Sequence, residues 1–253
     1  LGDDERAGEL LLEAYELNPD DPKVATNRAL GLQLLGRFEE STQWARARLR
    51  EDSSDEHAAA FLLQAATFLT DLDDPSADIP EELCNSELVR IYRCAFLRSR
   101  GRDDEWRQLA IKNWHDNPDS LPAGRLAGDA YLEIAIGDGR FERSAKIDSI
   151  RQEALASARD LLQNYWDEVR QYENADQNTY NCVACNLITA YRALGHPEKA
   201  DTIATQLLAI APTDENALMN AAYASMDQGH HENALGHARK LDDGPAKTAL
   251  LLH

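Results

Sequence analysis

Apolar residues recur three or four positions apart along most of this chain, which is the spacing of helices that bury one face. Residues 144–172 form the longest such stretch and predict a single long amphipathic helix. Its apolar face consists of Ala154, Leu155, Ala158, Leu161, Leu162, Tyr165 and Val169. A shorter stretch, residues 57–70, predicts another helix. The pattern therefore favours an all-α chain.

Glycines interrupt the helical pattern at a regular distance. Gly229 repeats the setting of Gly195 one period later, and each of the two is followed by an alanine at the same offset. The same number of residues separates the glycine from the alanine in four pairs: Gly36 and Ala45, Gly101 and Ala110, Gly195 and Ala204, and Gly229 and Ala238. Glycine commonly ends a helix in the left-handed backbone conformation. We interpret each of these glycines as the turn between two helices.

Prolines mark the other end of each helix pair. Pro19, Pro118 and Pro212 each follow a helical stretch. Pro19 precedes Gly36 by the same distance as Pro212 precedes Gly229. A proline disfavours helical geometry in the residue before it, so the preceding helix has to stop there. Two independent signals therefore predict one helix pair in every period.

The step from Gly195 to Gly229 is about 34 residues, which is the period of the tetratricopeptide repeat. The chain resembles this superfamily in having glycine at repeat position 15, small residues at positions 8 and 20, and proline at position 32. The resemblance implies an α-solenoid of antiparallel helix pairs in a right-handed superhelix, with one irregular unit and one long inserted helix. The family's aromatic residue at position 24 is alanine in every clear repeat here, so helices are expected to pack more closely or at another tilt.

This register divides the chain into three parts. We assign N-terminal repeats to residues 1–120, as units 22–55, 56–86 and 87–120; an irregular unit with the long helix to 121–180; and C-terminal repeats to 181–253, as units 181–214 and 215–248. In the unit 56–86, residues 71–80 leave room for only a short second helix, and we expect a loop there. The end of the chain, 248–253, is apolar where a polar capping helix is expected. We therefore expect further chain to follow it.

Charge and composition exclude some classes of partner. The net charge is −19 and the isoelectric point is about 4.7, whereas binding of nucleic acid requires clustered Lys and Arg. We therefore predict no nucleic-acid partner. The apolar run 58–66 is far shorter than a membrane span, so no membrane insertion is expected. The chain has only four cysteines, which indicates thiols in a reducing, cytoplasmic setting.

The resemblance implies a concave groove lined by the first helix of each repeat, at repeat positions 2, 5, 6, 9, 12 and 13. Position 6 is asparagine in three clear repeats, and an asparagine amide both donates to and accepts from a peptide backbone. The expected partner-contacting residues are Lys23, Asn27, Tyr92, Arg125, Asn186, Arg192, Asn220 and Tyr223. Two alternatives remain open: these asparagines tune helix packing, or the tyrosines belong to the core.

Cys182 and Cys185 form a C-x-x-C motif. Such motifs bind metal together with two further ligands, or cycle as a dithiol at the entrance to a helix. This pair is placed inside a predicted helix without a second C-x-x-C or a histidine pair, so we expect the two residues to pack structurally. The four tryptophans fall on second helices, where we expect them to fill the core. We predict no metal site and no cofactor.

The sequence contains no phosphate-binding glycine loop, nucleophile elbow or H-E-x-x-H motif. We therefore predict a chain without catalytic activity that binds a partner peptide or protein segment in its groove, as a scaffold or adaptor. The alternative is the sensor or substrate-presenting segment of a larger enzyme or signalling protein. A thiol or metal sensor is a third hypothesis. The partner, the pathway and the oligomeric state are not determined by the sequence.

Overall fold

The computed structural model describes residues 2–19, 21–72, 74–137, 149–171 and 177–241, without the side chains of residues 22, 23, 177 and 178. These ranges contain twelve α-helices and no β-strand. The helices are α1 (Gly2–Leu17), α2 (Pro22–Leu34), α3 (Phe38–Glu51), α4 (Glu56–Ala66), α5 (Glu87–Ser99), α6 (Asp103–Asp116), α7 (Leu121–Ile136), α8 (Ser149–Val169), α9 (Gln177–Ala193), α10 (Pro197–Ile210), α11 (Glu215–Asp227) and α12 (His231–Ala238). The prediction of an all-α chain is confirmed.

The glycines that mark the period adopt one and the same turn. Gly36, Gly101, Gly195 and Gly229 have φ between 66° and 79°, a region that side chains with a Cβ rarely occupy. In each turn the glycine N–H donates to the carbonyl three residues back, and the next N–H donates to the carbonyl five residues before it. This is the Schellman motif. The alanines that follow at the common offset are all buried, so the repeat inferred from the sequence is confirmed.

The chain forms two compact units, residues 1–117 and 118–253. Unit 1 contains α1–α6 and unit 2 contains α7–α12. The finer division into repeats remains our proposal.

In unit 1, helix α4 occupies the centre. It packs against α2, α3 and α5, and its Leu62 and Leu63 are fully buried. It ends at Ala66, four residues before the end that the pattern predicts. The segment that follows contains two short 3₁₀ turns, Pro75–Asp78 and Glu81–Asn85, in place of a second α-helix.

In unit 2, α7 and α8 cross at Gly128. A Cβ added there would come within 2.9 Å of Leu162 Cγ, so only glycine permits this approach. The predicted apolar face of α8 is buried at Ala154, Leu155, Ala158 and Leu162 and is partly buried at its other positions. The first five residues of the predicted long helix and its last, Tyr172, lie outside the described residues, as does the apolar end 248–253.

The tryptophans divide into two groups. Trp106 and Trp166 are 1% exposed, whereas Trp44 and Trp114 are half-buried. The expectation that all four fill the core therefore holds fully for two of them. Among the helices of the described ranges, none is both long enough and apolar enough to span a membrane.

Candidate functional site

The first helices of three successive pairs lie side by side in unit 2, because α9 contacts both α7 and α11. The second helices α8, α10 and α12 make no comparable contact with one another within the described ranges. Because the first helices contact one another and the second helices do not, α7, α9 and α11 lie on the side of the stack where successive helices are closer together. We call their exposed side the first-helix face of unit 2. Its polar residues are Arg125, Asp129, Asn186, Arg192, Asn220, Tyr223 and Asp227.

A buried carboxylate on this face joins α7 to α9. Asn186 Nδ2 donates to Asp129 Oδ1 at 2.8 Å, and Arg125 Nη1 donates to Asp129 Oδ2 at 3.1 Å. The Asp129 side chain is only 6% exposed. A buried charge is tolerated when it is paired and hydrogen-bonded. Both oxygens of Asp129 meet that condition.

A second ion pair joins α9 to α11. Arg192 Nε donates to Asp227 Oδ2 at 2.9 Å, and the two side chains are 17% and 8% exposed. The same guanidinium lies 4.9 Å from the centre of the Tyr223 ring, a cation–π distance. The contacts fix the orientation of the arginine and the tyrosine relative to each other.

Asn220 behaves differently from Asn186, although both occupy repeat position 6. Its Nδ2 donates to the backbone carbonyl of Asn216 in its own helix, at 2.9 Å. Burial raises the pKa of the Cys185 thiol to about 12. A hydrogen bond from the Asn220 side chain lowers the pKa of the same thiol, but this effect is smaller. Burial therefore favours the protonated thiol of Cys185 over the thiolate, which is the form that reacts and binds metal.

The C-x-x-C pair lies within α9, as the sequence indicates. Cys182 is exposed, Cys185 is half-buried, and both are free thiols. Among the described residues, no group of three His, Cys, Asp or Glu side chains is arranged to hold a metal ion.

The other predicted contacts belong to unit 1. Asn27 on α2 and Tyr92 on α5 are half-buried, and Tyr92 packs against the core of α3, α4 and α5. The side chain of Lys23 lies outside the described residues. These residues take no part in the hydrogen-bonded pairs of unit 2.

Asp227 is a residue that the sequence analysis did not single out. It occupies repeat position 13, which is one of the positions expected to line the groove. The repeat register was therefore sufficient to identify Asp227 as a groove residue. The contact with Arg192 could not be derived from the sequence, because it joins side chains 35 residues apart.

No family model matches the chain, and no curated protein matches it. Among solved structures, the APC/C hetero-tetramer Cut9–Hcn1 has a TM-score of 0.69 at 12% identity, covering 100% of this chain and 46% of that chain. Human IFIT1 with m7Gppp-AAAA has a TM-score of 0.64 at 17% identity, covering 94% and 54%. A MamA mutant has a TM-score of 0.50 at 15% identity, covering 84% and 98%. This chain thus spans about half the length of the first two.

The fold is tetratricopeptide-like. At these identities the likeness shows the fold and leaves the ligand open. The IFIT1 structure contains m7Gppp-AAAA, so a fold of this kind does not in itself exclude a nucleotide ligand. The prediction that this chain binds no nucleic acid therefore rests on its charge of −19 alone.

Proposed function

We propose that this chain is a protein-interaction scaffold whose first-helix face in unit 2 binds an extended segment of a partner protein. The observation that carries the proposal is the pair of contacts Asp129–Asn186 and Arg192–Asp227, each of which joins two first helices. They fix polar side chains across α7, α9 and α11 before any ligand arrives. Preorganisation of this kind reduces the entropic cost of binding.

The face combines the side chains that concentrate binding energy at interfaces. Arg125 is 25% exposed, Tyr223 is half-buried beneath Arg192, and the Asn220 amide lies at the surface. Arginine and tyrosine are enriched among residues that dominate binding energy. We propose that Arg125, Asn186, Arg192, Asn220 and Tyr223 contact the partner. Lys23, Asn27 and Tyr92 are proposed as a further contact region in unit 1.

The structural neighbours support a binding role, since Cut9–Hcn1 is a protein hetero-tetramer. A scaffold acts by binding alone, and we propose no reaction for it. A cytoplasmic setting remains a prediction from the four cysteines.

The test compares Tyr223→Ala with the wild type. A partner is first recovered by crosslinking and affinity capture, and its bound segment is then made as a synthetic peptide. Tyr223→Ala is expected to weaken this peptide about tenfold or more, as measured by calorimetry. Thr202→Ala is the control, because Thr202 is exposed on α10, a second helix. If Tyr223→Ala keeps the wild-type affinity for the peptide while Thr202→Ala binds it more weakly, the partner binds a surface other than the first-helix face of unit 2.

A further inference from the structure

A cavity of about 300 Å³ that is wide open to solvent lies between α5 and α6 in unit 1. Its lining residues are Arg93, Leu97, Glu105, Gln108, Leu109 and Lys112. This volume is at the lower end of the range for ligand pockets, so the cavity suits a group the size of one side chain. None of these residues belongs to the first-helix face of unit 2.

The cavity carries surplus positive charge in a strongly acidic chain. Its single carboxylate, Glu105, is already engaged by Arg102, whose Nε and Nη2 each donate to one oxygen at 2.7 Å. This hydrogen bonding is the main cause of the lowered pKa of Glu105. Within the described ranges, Arg93 and Lys112 form no ion pair. Two cations therefore line the cavity beside one carboxylate, Glu105, which keeps its negative charge but is paired with Arg102.

Arg93 also has an unused donor. Its Nε atom is buried and has no hydrogen-bond partner among the described residues. Buried N–H groups in folded proteins nearly always have a partner, from the protein, from water or from a ligand. Arg93 therefore retains hydrogen-bonding capacity that the described residues do not use.

The remaining lining restricts the kind of anion. Leu97 and Leu109 provide apolar walls, and the Gln108 amide can both donate and accept. A planar guanidinium pairs well with a planar carboxylate. Because Glu105 lies in the lining, its charge opposes a dianion such as phosphate more strongly than a monoanion.

We propose that the α5–α6 cavity binds a carboxylate carried on a short apolar stem. Two sources share this chemistry: an acidic side chain of a protein partner, and a free small organic acid. Arg93 pairs with the carboxylate, Lys112 adds a second positive charge, and the two leucines contact the stem.

Binding is tested on the full chain by following the Nε–H signal of Arg93 in NMR spectra. The probes are glutarate, the peptide N-acetyl-Leu-Glu-amide and inorganic phosphate. A saturable shift with glutarate or with the peptide is expected, and the stronger of the two identifies the source. No saturable shift with either carboxylate, or saturation with phosphate alone, overturns the proposal.

Four variants sharpen the test, and calorimetry measures their affinities, because Arg93→Gln has no Nε–H signal to follow. Arg93→Gln is expected to weaken the better probe about tenfold or more, because a hydrogen bond to a charged group is lost. Lys112→Gln should weaken it less. Glu105→Gln should strengthen binding, because it removes the competing carboxylate. Arg107→Gln is the matched control, since Arg107 lies on α6, one of the two helices that form the cavity, but pairs with Asp104 and does not line the cavity.

These outcomes distinguish a specific binding site from a general electrostatic attraction of anions to the surface. Equal loss in Arg107→Gln and Arg93→Gln, or weaker binding in Glu105→Gln, would contradict the assignment. If Arg93→Gln does not fold, as judged by circular dichroism, the opposite effects expected for Lys112→Gln and Glu105→Gln still decide it.

Discussion

In unit 1 the described residues between α4 and α5 contain no second α-helix, whereas in unit 2 α7 is covered by α8, which runs for 21 residues. The end of α4 is instead covered by one arginine. Arg100 donates to the carbonyls of Ala66 at 3.1 Å and Thr70 at 3.3 Å, and also to that of Leu69. The last carbonyls of a helix have no hydrogen-bond partner within that helix. The Arg100 side chain supplies such a partner at the end of α4.

The segment between α4 and α5 is held by further arginines. Arg46 Nε donates to Asp78 at 2.7 Å, and Arg102 Nη1 donates to Asp74 at 2.5 Å. In unit 2 the chain after α7 forms α8 instead. This helix is held by apolar packing, because its Leu155, Leu162 and Trp166 are almost fully buried in one cluster. In unit 1 the segment is therefore held by side-chain ion pairs together with the buried Ile79, whereas in unit 2 a whole helix packs against α7.

The largest effect should come from emptying the core of unit 2. Trp166 is 1% exposed, and its indole N–H donates to Gln206 Oε1 at 3.2 Å. Trp166→Ala should lower the free energy of unfolding by about 3–5 kcal/mol, because it leaves a large cavity. Urea denaturation measures this change. The half-buried Trp44 is the control, and an equal loss in Trp44→Ala would show that burial does not decide the cost.

An intermediate effect is expected where polar contacts replace the helix in unit 1. Arg100→Met should cost about 1.5–3 kcal/mol, the range for hydrogen bonds made by a charged group. Arg100→Lys should recover only part of the loss, because an ammonium lacks the planar fork of the guanidinium. Hydrogen exchange is expected to increase at residues 66–72 and to stay unchanged where α1 crosses α2. Unchanged exchange at 66–72 would show that Arg100 is not what holds the end of α4.

The smallest effect separates two asparagines at the same repeat position. Asn186→Ala removes a donor from the buried Asp129 carboxylate and should cost about 1.5 kcal/mol, the low end of the range for a hydrogen bond to a charged group, because Arg125 still pairs with Asp129. Asn220→Ala loses a bond within its own helix and a weak bond to the Cys185 thiol, and it should change stability by less than about 0.5 kcal/mol. Thermal denaturation of the two variants provides the comparison. Equal losses would mean that the contact with Asp129 contributes nothing to stability.

Much of the fold was predictable because its signals are local. Each turn glycine, each following alanine and each proline lies within one repeat period, and α-helices form between residues close in sequence. The loop after α4 was also expected, from residues 71–80. The end of α4 was not: it lies at Ala66, and the periodicity continues past it.

The candidate site was predictable only in part. The register placed Arg125, Asn186 and Arg192 on first helices, and the structure agrees. It did not indicate that Asn186 and Arg192 are bonded to carboxylates on neighbouring helices, 57 and 35 residues away in sequence. Residues of one repeat position therefore differ in their contacts.

Local signals in the chain specify the helices, the period and the turns, because backbone hydrogen bonding and glycine geometry depend on neighbouring residues. The packing of the helices was needed to show which side chains pair across repeats, that Arg100 donates to the carbonyls at the end of α4, and that Arg93 Nε is buried without a hydrogen-bond partner among the described residues. Those contacts depend on distances between helices and on side-chain rotamers, and a repeat pattern specifies neither.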